Sequence, residues 1–162
     1  MKIKIFRIVS VLFLVAVMAA IFYLSAQDAT ESDETSGSFI KTLIGIFYPK
    51  FKSFSVSKQA EIVGIFSFWV RKTAHFSIYF SLGVFSFLSV ITYKSLKLSI
   101  RVFISCLICV LYSVSDEIHQ YFVAGRSCEF RDVLIDSCGA LLAVFVSVYV
   151  LNKRKLKELY KR

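Results

Sequence analysis

Four stretches of this chain stay apolar for about the thickness of a bilayer, and that narrows the fold before anything else is read. They cover residues 5–24, 74–93, 102–122 and 133–151. A helix of about 20 residues rises roughly 30 Å, the depth of a hydrocarbon core. Backbone N–H and C=O groups at that depth must be satisfied within the segment, which selects helices. The expected fold is all-α, an integral membrane four-helix bundle forming a single domain over residues 1–162. Hydrophobic residues make up 57% of the chain, against about 45–50% in soluble domains, and the excess lies in these runs. Lys2, Lys4 and Arg7 before the first run, and Ser25-Ala26 after it, resemble a secretory leader. The apolar core of a leader is shorter, about 7–15 residues, so a retained anchor is expected.

The net charge of +9 does not point to nucleic acid, because the basic residues flank apolar runs instead of lining a soluble face. They also alternate. The N-terminus, the Lys94, Lys97 and Arg101 connection, and the tail from Lys153 to Arg162 all fall on one side of a four-span topology. By the positive-inside rule that side is cytoplasmic, with both termini inside. The tail is also placed to touch anionic lipid. The outer side then holds residues 25–73 and 123–132. The first of these begins acidic and polar (Gln27, Asp28, Glu31, Asp33, Glu34) and continues with Phe39, Ile40, Leu43, Ile44 and Phe47 at helical spacing. Ser38–Tyr48 reads as a short amphipathic helix capped by Ser38 and ended by Pro49, lying on the outer surface or capping the bundle. Residues 57–70 read as a helical lead into the second span, with Trp69 at interfacial depth.

Cys106 and Cys109 form a CxxC pair inside an apolar run, where zinc would lack further ligands; they read as small core residues. Cys138 reads as helix packing. Cys128 lies in a loop, and a Cys128–Cys138 disulfide is a minor alternative.

The orientation gathers the unusual polar residues at one level. Ser25 and Gln27 end the first span, Arg71, Lys72, His75 and Tyr79 begin the second, and Ser113, Ser115, Asp116, Glu117, His119 and Gln120 end the third. Arg126, Glu129, Arg131, Asp132 and Asp136 lead into the fourth. A charge in a spanning helix costs about 2.5–3.5 kcal/mol even on the mildest scale, so these groups need partners or water. Lys72, His75 and Tyr79 share one helix face, as do Asp116 and Gln120, and Asp132, Asp136 and Gly139. Three polar stripes at one depth are expected to face each other around a cavity open to the outer surface. The bland readings are a packing histidine, snorkelling cations at Arg71 and Lys72, Asp132 as a helix cap, an Arg–carboxylate turn over residues 127–132, and a purely structural ion-pair network.

These residues resemble the VanZ-like family. Arg71-Lys72-x-x-His75-Phe76-x-x-Tyr79-x-x-Leu82-Gly83 is similar to its first signature. Ser115-Asp116-Glu117-x-x-Gln120-x-Phe122-x-x-x-Arg126, with Arg131-Asp132-Val133-x-x-Asp136-x-x-Gly139, is similar to its second. Ile21-Phe22-x-x-Ser25-x-Gln27 resembles its first-span ending. Asp136 departs from the family, which usually has Asn there. The resemblance implies a small multi-pass protein of the bacterial cell membrane, and links it to resistance to teicoplanin, a lipid-tailed glycopeptide.

Two mechanisms stay open. In the first, an enzyme acts on a lipid-linked or envelope substrate, with His75 as general acid or base and Asp116 and Glu117 as catalytic partners. In the second, the site only holds a lipid, a cell-wall precursor or a lipoglycopeptide. Either way Gln27, Arg71, Lys72, Tyr79, Gln120, Arg126, Asp132 and Asp136 are the candidate binding residues. His75, Asp116, Glu117 and Asp132 suit a divalent ion by type but not by spacing, so no metal is assigned. The sequence names no cofactor and no oligomeric state. Proton-coupled transport ranks below both readings, since broken helices and repeats are missing.

Overall fold

The computed structural model describes residues 2–126 and 128–160, with side chains for all of these except 2, 29–36 and 154–160. The described residues form helices α1 (Lys2–Ser25), α2 (Ala29–Phe47), α3 (Val56–Ile91), α4 (Leu98–Tyr121) and α5 (Phe130–Tyr160), with a 3₁₀ turn at Pro49–Ser53. α1, α3, α4 and α5 are long and apolar enough to cross a membrane. All four expected spans are therefore present as helices.

α3 is longer than a span requires. Its 36 residues rise about 54 Å, so an extension at its N-terminal end continues beyond hydrocarbon depth, as residues 57–70 led one to expect. α2 packs along that extension. Ile40, Phe51 and Val63 are buried there together, with Ile44, Phe54, Ile62 and Val70 against them. Ile40 and Ile44 of the apolar face expected on residues 38–48 are thus used in this cluster, while Phe39 and Phe47 stay exposed. The helix itself starts earlier than expected, at Ala29. Ser38 is therefore an interior residue and not a cap, its carbonyl accepting a 3.0 Å bond from the Thr42 hydroxyl. Glu31, Asp33 and Glu34 lie in the stretch whose side chains are outside the described ones.

α3 and α5 run parallel and make the tightest contact in the bundle. A Cβ at Gly83 would lie 2.1 Å from the Ala140 carbonyl oxygen, and one at Gly139 would lie 2.6 Å from that of Phe76. Apolar burial gives helices no preference for each other over lipid tails. Close backbone approach at small residues supplies the packing attraction instead. Leu14, Ile21, Tyr79, Leu82, Cys109 and Ala140 form the main core beside this contact. Cys138 is exposed, contrary to the packing role read for it, because two residues of helix turn it about 200° away from Asp136. All four cysteines are free thiols, so the Cys128–Cys138 alternative does not form.

One end of the bundle is closed by arginines. Arg7 Nε donates to Thr92 Oγ1 at 2.8 Å and Nη2 to the Thr92 carbonyl at 3.2 Å. Its guanidinium also lies 3.9 Å over the Tyr93 ring. Arg101 Nη1 donates to the Ile91 carbonyl at 2.9 Å. Both arginines satisfy carbonyls at the C-terminus of α3, where a cation also meets the negative end of the helix dipole.

Candidate functional site

The other end of the bundle carries the acids. Because α3 and α5 are parallel and locked at Gly83 and Gly139, their polar stripes meet in register. Lys72 Nζ pairs with Asp132. One turn on, His75 Nδ1 lies 3.6 Å from Asp136 Oδ2. One further turn along α3, the Tyr79 hydroxyl donates to Asp116 Oδ2 of α4 at 3.0 Å. The stripes read from spacing alone therefore do converge.

Asp116 is the knot of the arrangement. Its Oδ2 also accepts from Ser25 Oγ at 3.0 Å and Gln120 Nε2 at 3.1 Å. One carboxylate oxygen thus ties α1, α3 and α4 together through three donors. Gln120 passes the chain outward, its Oε1 accepting from Arg126 Nη1 at 3.4 Å. Arg126 Nε donates to the Gln27 carbonyl at 3.2 Å. Gln27 thus enters the network through its backbone carbonyl. The turn that aims Arg126 back at the bundle needs a left-handed residue, supplied by Gly125 with φ 72°. Burial, and then the nearby charge of Arg71, hold the Arg126 guanidinium below its ordinary pKa, while Asp116, Glu117 and Asp132 oppose the shift.

Glu117 faces elsewhere. It lies next to Asp116 in sequence, but one residue turns a helical side chain by about 100°. Its Oε2 accepts from the Glu129 backbone N–H at 2.9 Å, just before α5 begins, where a carboxylate meets the positive end of the dipole. The turn over residues 127–132 contains an Arg131–Glu129 ion pair at 2.7 Å; Ser127 lies outside the described residues. A further bridge, not anticipated, joins Ser113 and Ser137 hydroxyls at 2.8 Å between α4 and α5. Serines at helical spacing carry too little signal to announce such a pair.

One sequence reading changes. It concerns His75, whose neighbouring carboxylate is Asp136 and not Asp116 or Glu117, since the parallel α3–α5 contact sets His75 opposite α5. His119 stacks on Phe22 near the end of α1, with ring centroids 4.3 Å apart.

The carboxylates are also less open than expected. Glu117 and Asp136 are each 1% exposed, and Asp116, Gln120 and Tyr79 are buried as well. The stripes pack on each other. His75, at 29% side-chain exposure, and the Lys72–Asp132 pair remain partly open. Open space lies beside them, in a groove of about 360 Å³ between α1 and α3, which Ser25 and His75 line together with Ile21, Leu24, Ala74 and Ile78. A second groove, of about 470 Å³, separates α2 from α3 and is lined by Lys41 and Arg71 among smaller residues.

Satisfaction is incomplete. Among the described residues, Glu117 Oε1, Asp136 Oδ2 and His119 Nε2 are buried at this end without a hydrogen-bond partner. Also among the described residues, no three His, Cys, Asp or Glu side chains gather in a way that could hold a metal ion.

Neither a curated protein nor a solved structure matches the chain. A sequence model of the VanZ/LLP1 family matches residues 10–152, a stretch that starts within α1, ends within α5 and contains every residue of the polar network. The chain is a membrane-spanning helical protein of the VanZ/LLP1 family.

Proposed function

We propose that the protein lies in the bacterial cell membrane with both termini inside, and that its acidic end faces outward. There it binds or modifies an envelope lipid or a cell-wall-linked ligand. The charge pattern supports the orientation, since Lys4, Arg7, Lys94, Lys97, Arg101 and Lys153 lie on the opposite side from the acids. One observation carries the site. Half-open His75 lines a groove on the flank of the bundle and sets its Nδ1 3.6 Å from Oδ2 of Asp136, a carboxylate only 1% exposed. Glu117 Oε1, buried at the same end, has no hydrogen-bond partner, whereas a network kept only for structure is expected to be fully satisfied. His75 set against a buried carboxylate is equipped to accept or hold a proton at its remaining nitrogen. Lys72 and Arg126 supply positive charge nearby, and Asp116 fixes the frame. The alternative is a non-catalytic bundle whose charges form a structural ion-pair network; the Lys72–Asp132 pair favours it. A contribution to resistance against a lipid-tailed glycopeptide is the phenotype in which a binding role would be read.

The purified protein, incubated with envelope lipid extract and analysed by mass spectrometry, tests the site. A mass change lost in His75→Ala supports chemistry, and a bound, unaltered lipid lost in that variant supports holding. If His75→Ala matches the parent in both respects, the site reading fails. Orientation has its own test, because Cys128 is exposed at the acidic end. An impermeant thiol reagent is expected to label Cys128 in intact cells. A cysteine at Leu96 in a Cys128→Ser background is expected to stay unlabelled, and labelling there would overturn the topology.

A further inference from the structure

The groove between α1 and α3 starts beside the polar network and runs into the depth of the bundle. His75 stands about 24 Å by helical rise from Ile91, where α3 ends and Arg101 closes it. Against a hydrocarbon depth of about 30 Å, His75 is near the opposite boundary, one turn inside the Lys72–Asp132 pair. Ser81 lies about 9 Å deeper along the same helix. Both residues line the groove, so it opens at the boundary and descends into the hydrocarbon.

Its walls are Ile21, Leu24, Ala74 and Ile78, and its lining contains no Lys, Arg, Asp or Glu. The hydrogens of its polar residues are engaged elsewhere. Ser25 Oγ donates to Asp116 at 3.0 Å and accepts from Gln120 at 3.5 Å. Ser77 and Ser81 donate to the Thr73 and Ser77 carbonyls of their own helix at 2.7 and 3.2 Å. His75 Nδ1 faces Asp136 Oδ2 at 3.6 Å. A carboxylate on that side holds the ring hydrogen on Nδ1 and leaves the lone pair on Nε2. The groove can therefore accept a hydrogen bond and has none to give.

We propose that this groove is a slot for a lipid alcohol, its chain against Ile21, Leu24 and Ile78 and its hydroxyl donating to His75 Nε2. The proposal rests on the lipid-binding reading above and names its ligand class. Position sets the chain, because at hydrocarbon depth the space beside a helix is filled by lipid tails and not by water. Hydrogen-bond capacity sets the headgroup. An ester carbonyl or a phosphodiester offers only acceptors and would meet an acceptor. An ammonium would bring a charge into a lining that holds no counter-charge. A hydroxyl is a neutral donor, and in a low-dielectric slot its bond to Nε2 satisfies both groups.

Native mass spectrometry of the full chain, purified in detergent, tests this with three probes of identical acyl chains: diacylglycerol, its acetyl ester and phosphatidylcholine. Only the first has a hydroxyl. Diacylglycerol is expected to be retained about fivefold more than the acetyl ester, the worth of one net hydrogen bond, and phosphatidylcholine no more than the ester. His75→Phe keeps a ring and removes the acceptor, and is expected to bring diacylglycerol down to the ester level while the ester is unchanged. Ala74→Phe narrows the slot from an exposed position and is expected to reduce all three lipids, with Ser77→Phe as the second choice. The comparison of probes on the parent chain decides even where a variant does not fold. Equal retention of diacylglycerol and its ester, a preference for the ester or for phosphatidylcholine, or an unchanged hydroxyl preference in folded His75→Phe would each overturn the slot. The two readings fail separately. If the probes are retained equally while His75→Ala still loses its envelope lipid, the slot falls and the site stands. If His75→Phe abolishes a hydroxyl preference while His75→Ala leaves envelope lipid unchanged, the slot stands and the site falls.

Discussion

The two ends of this bundle use charged residues in opposite ways. At the basic end, Arg7 and Arg101 reach the last carbonyls of α3 and close a helix terminus. Their partners are backbone groups that any helix end would present, so the need for a cation there is set by local geometry. Arg101 Nε is left without a partner, while Nη1 is engaged by the Ile91 carbonyl. At the acidic end, side chains bind side chains across four helices. Asp116 Oδ2 collects three donors, Asp136 Oδ2 has only the His75 ion pair, and Glu117 Oε1 collects none. Uneven satisfaction of this kind is what a site poised for a ligand looks like, and a helix cap does not need it.

The strongest way to break the contrast is to separate the helices that create it. Any side chain at Gly83 meets the Ala140 carbonyl, and Gly83→Ala is expected to cost about 3 kcal/mol, the upper range for overpacking. A thermal unfolding curve in detergent reads it; a change under about 1 kcal/mol would mean that the parallel contact is loose. Asp116→Ala comes next. It strands the Ser25, Tyr79 and Gln120 donors, each worth about 1–3 kcal/mol if left unpaired, so a loss of similar size to that of Gly83→Ala is expected in the same melt. At the other end, Arg7→Ala is expected to cost only about 1 kcal/mol, because Thr92 is half-buried and water can replace the guanidinium. Should Arg7→Ala prove costlier than Asp116→Ala, the contrast between a local cap and a shared knot would be wrong. Asp136→Asn is the smallest change, expected within about 1 kcal/mol. The amide oxygen still faces His75 Nδ1, and the family resemblance already admits Asn at this position. The same variant sharpens the functional question. Chemistry that needs the charge at Asp136 would disappear, whereas lipid retention would persist.

Much of this was legible in the chain. Spans of about 20 apolar residues admit no fold but helices at bilayer depth, and the spacing of Lys72, His75 and Tyr79 placed them on one face. Glu117 was harder. Nothing in a Ser-Asp-Glu run says which carboxylate turns inward to bind hydroxyls and which reaches the next helix. Cys138 was misread for the same reason, since what a residue packs on depends on which neighbour fills the angle it faces.

The sequence by itself determined the four long apolar helices, the gathering of the acids toward one end and the polar stripes, because these follow from hydropathy and helical period along one dimension. Pairing was decided only in three dimensions. Two glycines bring α3 and α5 close enough to lock their register, and that register hands Asp136 to His75 and Asp132 to Lys72, while the packing of α4 on α3 sets Asp116 against Tyr79. Burial was decided there too. The stripes pack against each other and close over the carboxylates, so the accessible space opens beside the network, along the flank of α3.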